Sequence, residues 1–162
     1  MLHATGETHT QAAPAAALAY LADPRHAAVW FASVATDGLV AGPPRAGQTW
    51  RFVERAGRGA TRPVRMALYE PGARFIWETR LGPARTNIVW EVTATAAPES
   101  GATLRLVTRW RPGPLGWPAT LAAALIARGT LARRAQRTIE RARDAVEAQA
   151  RGGFGSRPRR AR

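Results

Sequence analysis

Covalent and proton-transfer chemistry needs nucleophiles, titrating bases or metal ligands, and this chain carries few of them. It has no cysteine, which excludes thiol nucleophiles, disulfides and cysteine-ligated metals. Histidine occurs only at His3, His9 and His26, with no two at the spacing of a helical ligand pair, so no metal site is expected. His26 falls in a predicted pair of short helices and is read as a rim or surface residue, not a base. A carboxylate on an apolar strand face would be pushed by burial toward a useful proton-transfer range. The nearest candidate is Glu54, in phase with Trp50 and Phe52 but at a strand end, where water solvates it. No catalytic residue is assigned, and no metal or dissociable redox cofactor is expected.

What the sequence does carry is aromatic and aliphatic residues in strand phase. From Gly47 onward the hydrophobic period is 2. Trp50 and Phe52 alternate with Arg51 and Val53; Val64, Met66 and Leu68 with Arg65, Ala67 and Tyr69. Phe75, Trp77 and Thr79 alternate with Arg74, Ile76, Glu78 and Arg80; Ile88, Trp90 and Val92 with Val89, Glu91 and Thr93. Leu104, Leu106, Thr108 and Trp110 alternate with Arg105, Val107, Arg109 and Arg111. Turn signals at Gly57-Arg58-Gly59, Pro71-Gly72, Gly82-Pro83 and Glu99-Ser100-Gly101 predict an antiparallel meander. One face is then apolar and the other is arginine with some glutamate, as expected of a sheet with one wet side. Pairs such as Glu91 with a facing arginine contribute a few tenths of a kcal/mol.

Before the meander, residues 2–11 read as an opening strand. Pro14 starts a helix that ends near Asp23-Pro24, and a second short helix is predicted from Arg25 to about Ser33, placing Val29 and Trp30 toward the core. Asp37-Gly38 and Gly42-Pro43-Pro44 are predicted turns. After the meander, residues 112–118 form a Pro-Gly linker into a long helix from Pro118 to Arg151, stopped by Gly152-Gly153. Leu121, Leu125, Ala132, Ala135, Ile139, Ala142 and Val146 make its apolar stripe. The segment would run roughly 50 Å, and its stripe must be buried against the apolar sheet face.

A chain of 162 residues with 46% hydrophobic composition and six tryptophans forms one folded domain, read as residues 1–151, with 152–162 a disordered basic tail. No apolar run approaches a transmembrane span, and the first residues lack the basic and apolar regions of a signal peptide; a cytoplasmic protein is expected. The net charge of +13 comes entirely from arginine, without lysine. Beside so much alanine, glycine and proline, that bias is read as compositional, and nucleic acid is not the expected partner.

The order strand, two short helices, antiparallel meander and long C-terminal helix resembles the START-like superfamily, also called SRPBCC or the polyketide cyclase/dehydrase family. The local likenesses are Ala19-Tyr20-Leu21-Ala22-Asp23-Pro24-Arg25 followed by Trp30, Ala46-Gly47-Gln48-Thr49-Trp50, and Tyr69-Glu70-Pro71-Gly72-Ala73-Arg74-Phe75. Gly101-Ala102-Thr103-Leu104 and Gly113-Pro114-Leu115-Gly116-Trp117 also match, so that the resemblance spans residues 2–150. It implies an α+β helix-grip fold, a curved antiparallel sheet wrapped around the C-terminal helix. It also implies a cavity between them for a small hydrophobic or amphipathic ligand, lipid or polyketide-like. Trp50, Phe52, Met66, Phe75, Trp77, Trp90, Trp110, Leu121 and Leu125 would line it, with Thr79, Thr108 and Arg128 as polar contacts. Small residues on the helix leave room for a ligand or allow close packing; the sequence admits both. A polyketide cyclase/aromatase-type enzyme using the same pocket is the alternative, in which Arg128 would hold an enolate or carbonyl oxygen. A basic module docking on nucleic acid or anionic membrane is the second. The oligomeric state stays open, a homodimer included.

Overall fold

The structure, a computed structural model, describes residues 2–31, 34–39, 42–54, 60–81, 86–111 and 117–153; the side chains of 81, 86, 117–128 and 153 are outside that description. The predicted turns at Gly57–Gly59 and Gly82-Pro83, the linker over 112–116 and the tail from 154 onward therefore lie outside the described residues, as do Ser33 and the side chains of Leu121, Leu125 and Arg128.

Seven strands, β1 (Leu2–Thr10), β2 (Val34–Asp37), β3 (Thr49–Glu54), β4 (Thr61–Glu70), β5 (Arg74–Leu81), β6 (Thr86–Ala96) and β7 (Ala102–Arg111), form one open sheet. Its order is β1-β7-β6-β5-β4-β3-β2, with every pair antiparallel. The predicted period-2 runs are β3 to β7. Between β1 and β2 come α1 (Pro14–Ala22), a single 3-10 turn (Pro24–His26) and α2 (Ala27–Trp30); α3 (Trp117–Gly153) closes the chain.

Two local expectations are corrected. The helix predicted from Arg25 to about Ser33 stops at Trp30, and the segment from Val34 joins the sheet as the edge strand β2. A four-residue helix buries only residues one turn apart, here Ala27 and Trp30, while Val29 is 57% exposed instead of facing the core. Among the described side chains of α3 the buried stripe is Ala135, Ile139, Ala142, Ala145 and Val146. Ala132 is exposed, together with Gly129, Thr130, Arg133 and Arg134, while Leu131 in the same turn is partly buried.

Gly6 sets how close the helix can come. A Cβ there would lie 2.7 Å from the backbone carbon and oxygen of Ala135 and the nitrogen of Gln136, well inside van der Waals contact. Beside it the Gln136 amide treats β1 as a neighbouring strand would. Its Oε1 accepts from Glu7 N–H at 3.1 Å and its Nε2 donates to the Glu7 carbonyl at 2.9 Å. The helix thereby covers part of a free sheet edge whose backbone groups would otherwise be open to another strand.

Asp23 ties α1 to the 3-10 turn. It is buried, accepts from the Arg25 backbone N–H at 2.9 Å, and pairs with the Arg25 guanidinium. Burial works against its charge, but the hydrogen bonds from Arg25 and the positive charges of Arg25 and His26 outweigh burial and hold the carboxyl below its ordinary value. A depressed pKa contributes stability that is present above the unfolded value near ~3.9 and lost as pH falls through the folded value. Asp23→Ala should therefore cost about 1 kcal/mol at neutral pH through the lost cap. The gap to the parent should close in acid urea melts below about pH 4; a gap unchanged down to pH 3 would contradict this role.

Candidate ligand-binding site

Strand register gathers the predicted lining residues onto adjacent rungs of the concave face. On one rung Trp50 faces Val64, which faces Thr79, then Ile88 and Trp110. The next rung runs Met66, Trp77, Trp90, Thr108 and Ala4. A third carries Phe75, Val92, Leu106 and Gly6. Trp50, Trp77, Met66 and Phe75 are buried, whereas Trp90 and Trp110 are partly buried. All four strand tryptophans share the predicted face, two of them buried and two partly buried.

The rings form one connected cluster around Trp77. Its centroid lies 5.0 Å from that of Trp50, 5.2 Å from Phe75, 5.3 Å from Trp30 and 5.9 Å from Phe52. Trp30 and Phe31 come from the end of α2 and lie on the same wall. Phe31 reaches Phe52 at 5.6 Å and Trp90 at 5.5 Å. Sequence reasoning placed Trp30 in the core without giving it a part in the site and passed over Phe31. The Ala27–Trp30 spacing directly after Pro24 was the available signal, since one turn of helix there aims both at the sheet.

Polar groups divide sharply. Thr79, predicted as a ligand contact, donates its hydroxyl to the Pro63 carbonyl at 2.6 Å, so its proton is already committed within the sheet. Thr108 is buried on the Trp77–Trp90 rung. The indole N–H groups of Trp30, Trp50 and Trp77 are buried and have no acceptor among the described residues. An unmatched buried donor is uncommon in a folded protein.

Among the described residues the helix comes closest at one rung of this face. Gly6, on the Phe75 rung, touches Ala135, and β7 ends at Arg111, past the Trp110 rung, before α3 begins at Trp117. The close backbone neighbours of α3 are β1, β7, α1 and α2, and β3 to β6 are not among its principal contacts. The short helix α2 and its two rings stand over those central strands instead.

Among the described residues no cluster of histidine, aspartate or glutamate could hold a metal. Glu54 pairs with Arg62 near the strand end, outside the aromatic wall, as its sequence position implied. The His26 ring stacks on Tyr20 at 4.0 Å, with Nδ1 2.9 Å from the Tyr20 carbonyl oxygen. On the convex side the arginines are largely paired: Arg109 with Glu91 at 2.6 Å, Arg74 with Glu70 at 2.8 Å, Arg51 with Asp37 at 3.6 Å and Arg65 with Glu78 at 3.8 Å. Arg133, Arg134 and Arg137 line a depression of about 340 Å³ on α3 with Thr130. No described helix is long and apolar enough to cross a membrane.

Neither a family model nor a curated protein sequence matches the chain. Solved structures do. The Zhui aromatase/cyclase from Streptomyces sp. R1128 superposes with a TM-score of 0.71 at 18% identity, over 95% of this chain and 98% of that one. The chain has the START-like, helix-grip fold. Protein SA2116 of unknown function from Staphylococcus aureus shares that fold, with a TM-score of 0.68, 10% identity and 93% and 96% of the two chains covered. So does the di-domain ARO/CYC StfQ from the steffimycin biosynthetic pathway, with a TM-score of 0.66 at 18% identity over 92% of this chain. The helix-grip chain corresponds to 52% of StfQ, about half its length. At these identities the likeness establishes the fold resembled at the sequence level, and no more.

Proposed function

We propose that this protein binds a small apolar or amphipathic molecule between the aromatic wall of β3–β6 and the first half of α3. The carrying observation is the uneven seating of α3. Its C-terminal half packs so closely that only glycine fits at position 6, whereas β3 to β6, which carry most of the large rings, are not among its principal neighbours. A surface of stacked indoles under a helix held at one end suits a flat, water-averse guest. Trp50, Phe52, Met66, Phe75, Trp77, Trp90, Trp110 and Thr108 form the sheet side; Leu121, Leu125 and Arg128 are the proposed helix side. Thr79 is a weaker polar contact than its sequence position implied, because its hydroxyl already bonds Pro63.

The aromatase/cyclase reading stands second, supported by the Zhui and StfQ names among the structural neighbours. Arg128 and Thr108 would be the groups to orient a poly-keto chain, with no nucleophile–base pair invoked. Paired arginines on the convex side support a solvated face over a polyanion-binding one.

Binding is tested with an environment-sensitive apolar dye and with native mass spectrometry of the purified protein. A blue-shifted dye signal competed by a co-purifying small molecule is the expected result. Leu125→Trp should abolish dye binding with little loss of stability, since it fills space rather than crowding a packed core. Failure of the parent to bind dye, with strong destabilisation of L125W, would mean a solid interior.

A further inference from the structure

The outward face of α3 carries a group of arginines that the ligand-binding reading does not use. Thr130, Arg133, Arg134 and Arg137 fall at i, i+3, i+4 and i+7, so the helix turns all four to one side. There they line a depression of about 340 Å³, away from the buried stripe of Ala135, Ile139 and Ala142. The three arginines are exposed, and none of their guanidinium groups has an ion pair or hydrogen bond among the described residues. On the convex sheet face, by contrast, Arg74 and Arg109 are held by Glu70 and Glu91. The sequence shows why this turn of α3 cannot do the same: between Glu99 and Glu140 it has seven arginines and no acidic residue. Glu140 itself accepts from Gln136 Nε2 at 3.0 Å. Like charges one turn apart weaken a helix, so this turn is unfavourable until an anion arrives from outside.

We propose that the Arg133, Arg134 and Arg137 cluster binds the phosphate monoester group of a small molecule, as the dianion, on the outer face of α3. A guanidinium offers paired N–H donors that match two phosphate oxygens. Three of them with the Thr130 hydroxyl supply donors for every terminal oxygen and more than balance two negative charges. Extended polyanions fit this face less well. A nucleic-acid strand is held by basic groups interleaved with stacking rings, and the described side chains of α3 include no ring. A bilayer surface takes large apolar side chains beside the arginines, and the exposed neighbours here are Gly129 and Ala132. A compact anion needs neither. The site stands apart from the apolar pocket, and neither reading depends on the other.

The test uses methyl phosphate and dimethyl phosphate, which share the phosphate ester and differ in one negative charge. Each is titrated into the full chain at about pH 8, above a second phosphate pKa of roughly 6. Ionic strength is held constant with chloride, and the arginine Nε–H resonances are followed in a 15N correlation spectrum. The expected result is saturable methyl phosphate binding with a Kd of about 1 mM and movement of the Arg133, Arg134 and Arg137 signals. Dimethyl phosphate should bind about fivefold more weakly or worse. Arg137→Gln should weaken methyl phosphate binding by about fivefold or more, with a urea midpoint at or above the parent's because like-charge repulsion is relieved. That midpoint shows the variant folded whether or not the apolar pocket binds its guest. A response that chloride alone reproduces overturns the proposal, as does an Arg137→Gln variant that binds like the parent. So does an oligothymidylate or a phosphatidylglycerol vesicle that binds through these arginines while methyl phosphate does not, which would assign the face to an extended polyanion.

Discussion

Trp77→Ala should be the most damaging single truncation in this protein, costing about 3–5 kcal/mol. The side chain is 0% exposed and is the hub onto which Trp30, Trp50, Phe52 and Phe75 all pack. Removing it leaves a cavity bounded by rigid rings on different strands and on α2, which cannot collapse together without moving the sheet. Stacking and edge contacts beyond simple burial are lost as well. Trp90→Ala provides the comparison. It lies opposite Trp77 on the same rung but is only partly buried, so its truncation should cost less while weakening dye binding more per unit of stability lost. Urea melts of the two variants and the parent decide the matter; equal losses would mean that Trp77 is not the centre of the cluster.

Gly6→Ala should rank next, with a loss of about 3 kcal/mol and a fall in Tm of roughly 10 °C. The added methyl meets backbone atoms of Ala135 and Gln136 at 2.7 Å, and no side-chain rotation relieves a clash with backbone. The helix must move outward, which stretches both Gln136–Glu7 hydrogen bonds and loosens Ile139 and Ala142, both buried. Gln136→Ala removes the same two hydrogen bonds without the clash and should cost about 1 kcal/mol. The difference between the variants isolates the steric part. A change within about 0.5 kcal/mol for Gly6→Ala would show that α3 is not seated on β1.

The sheet was legible in the sequence because its period is 2 and its turns are marked by Pro, Gly and Ser. Rung partners such as Trp77 and Trp90 follow once the hairpins close. β2 was not legible. Val34–Asp37 is four residues long, lies at an edge, and shows too little alternation to stand apart from the helix before it. Phe31 was missed for a related reason, since a residue just past a four-residue helix belongs to no repeating pattern. The stripe on α3 was readable from Ala135 to Val146. Ala132 fitted the period equally well and is exposed, because burial depends on what the rest of the fold brings against the helix, which is a tertiary fact. The indole N–H groups could not have been singled out at all. Whether a tryptophan finds an acceptor depends on what three other elements bring near it.

The pairing of β1 with β7 and α3 also sets a timetable. Leu2 aligns with Trp110 and Glu7 bonds Gln136, 129 residues away. At ribosomal rates of about 5–20 residues per second, the first strand made waits roughly 5–20 s for its partner strand, longer still for the helix that covers its edge. During that interval β2 to β6 can zip through short hairpins, whereas β1 must close a loop of about a hundred residues against chain entropy. Of the seven strands, β1 is therefore the one expected to be locked last. Its composition suits the wait: Thr5, Thr8 and Thr10 beside Glu7, His3 and His9 keep an unpaired N-terminal strand soluble until the rest of the molecule arrives to claim it.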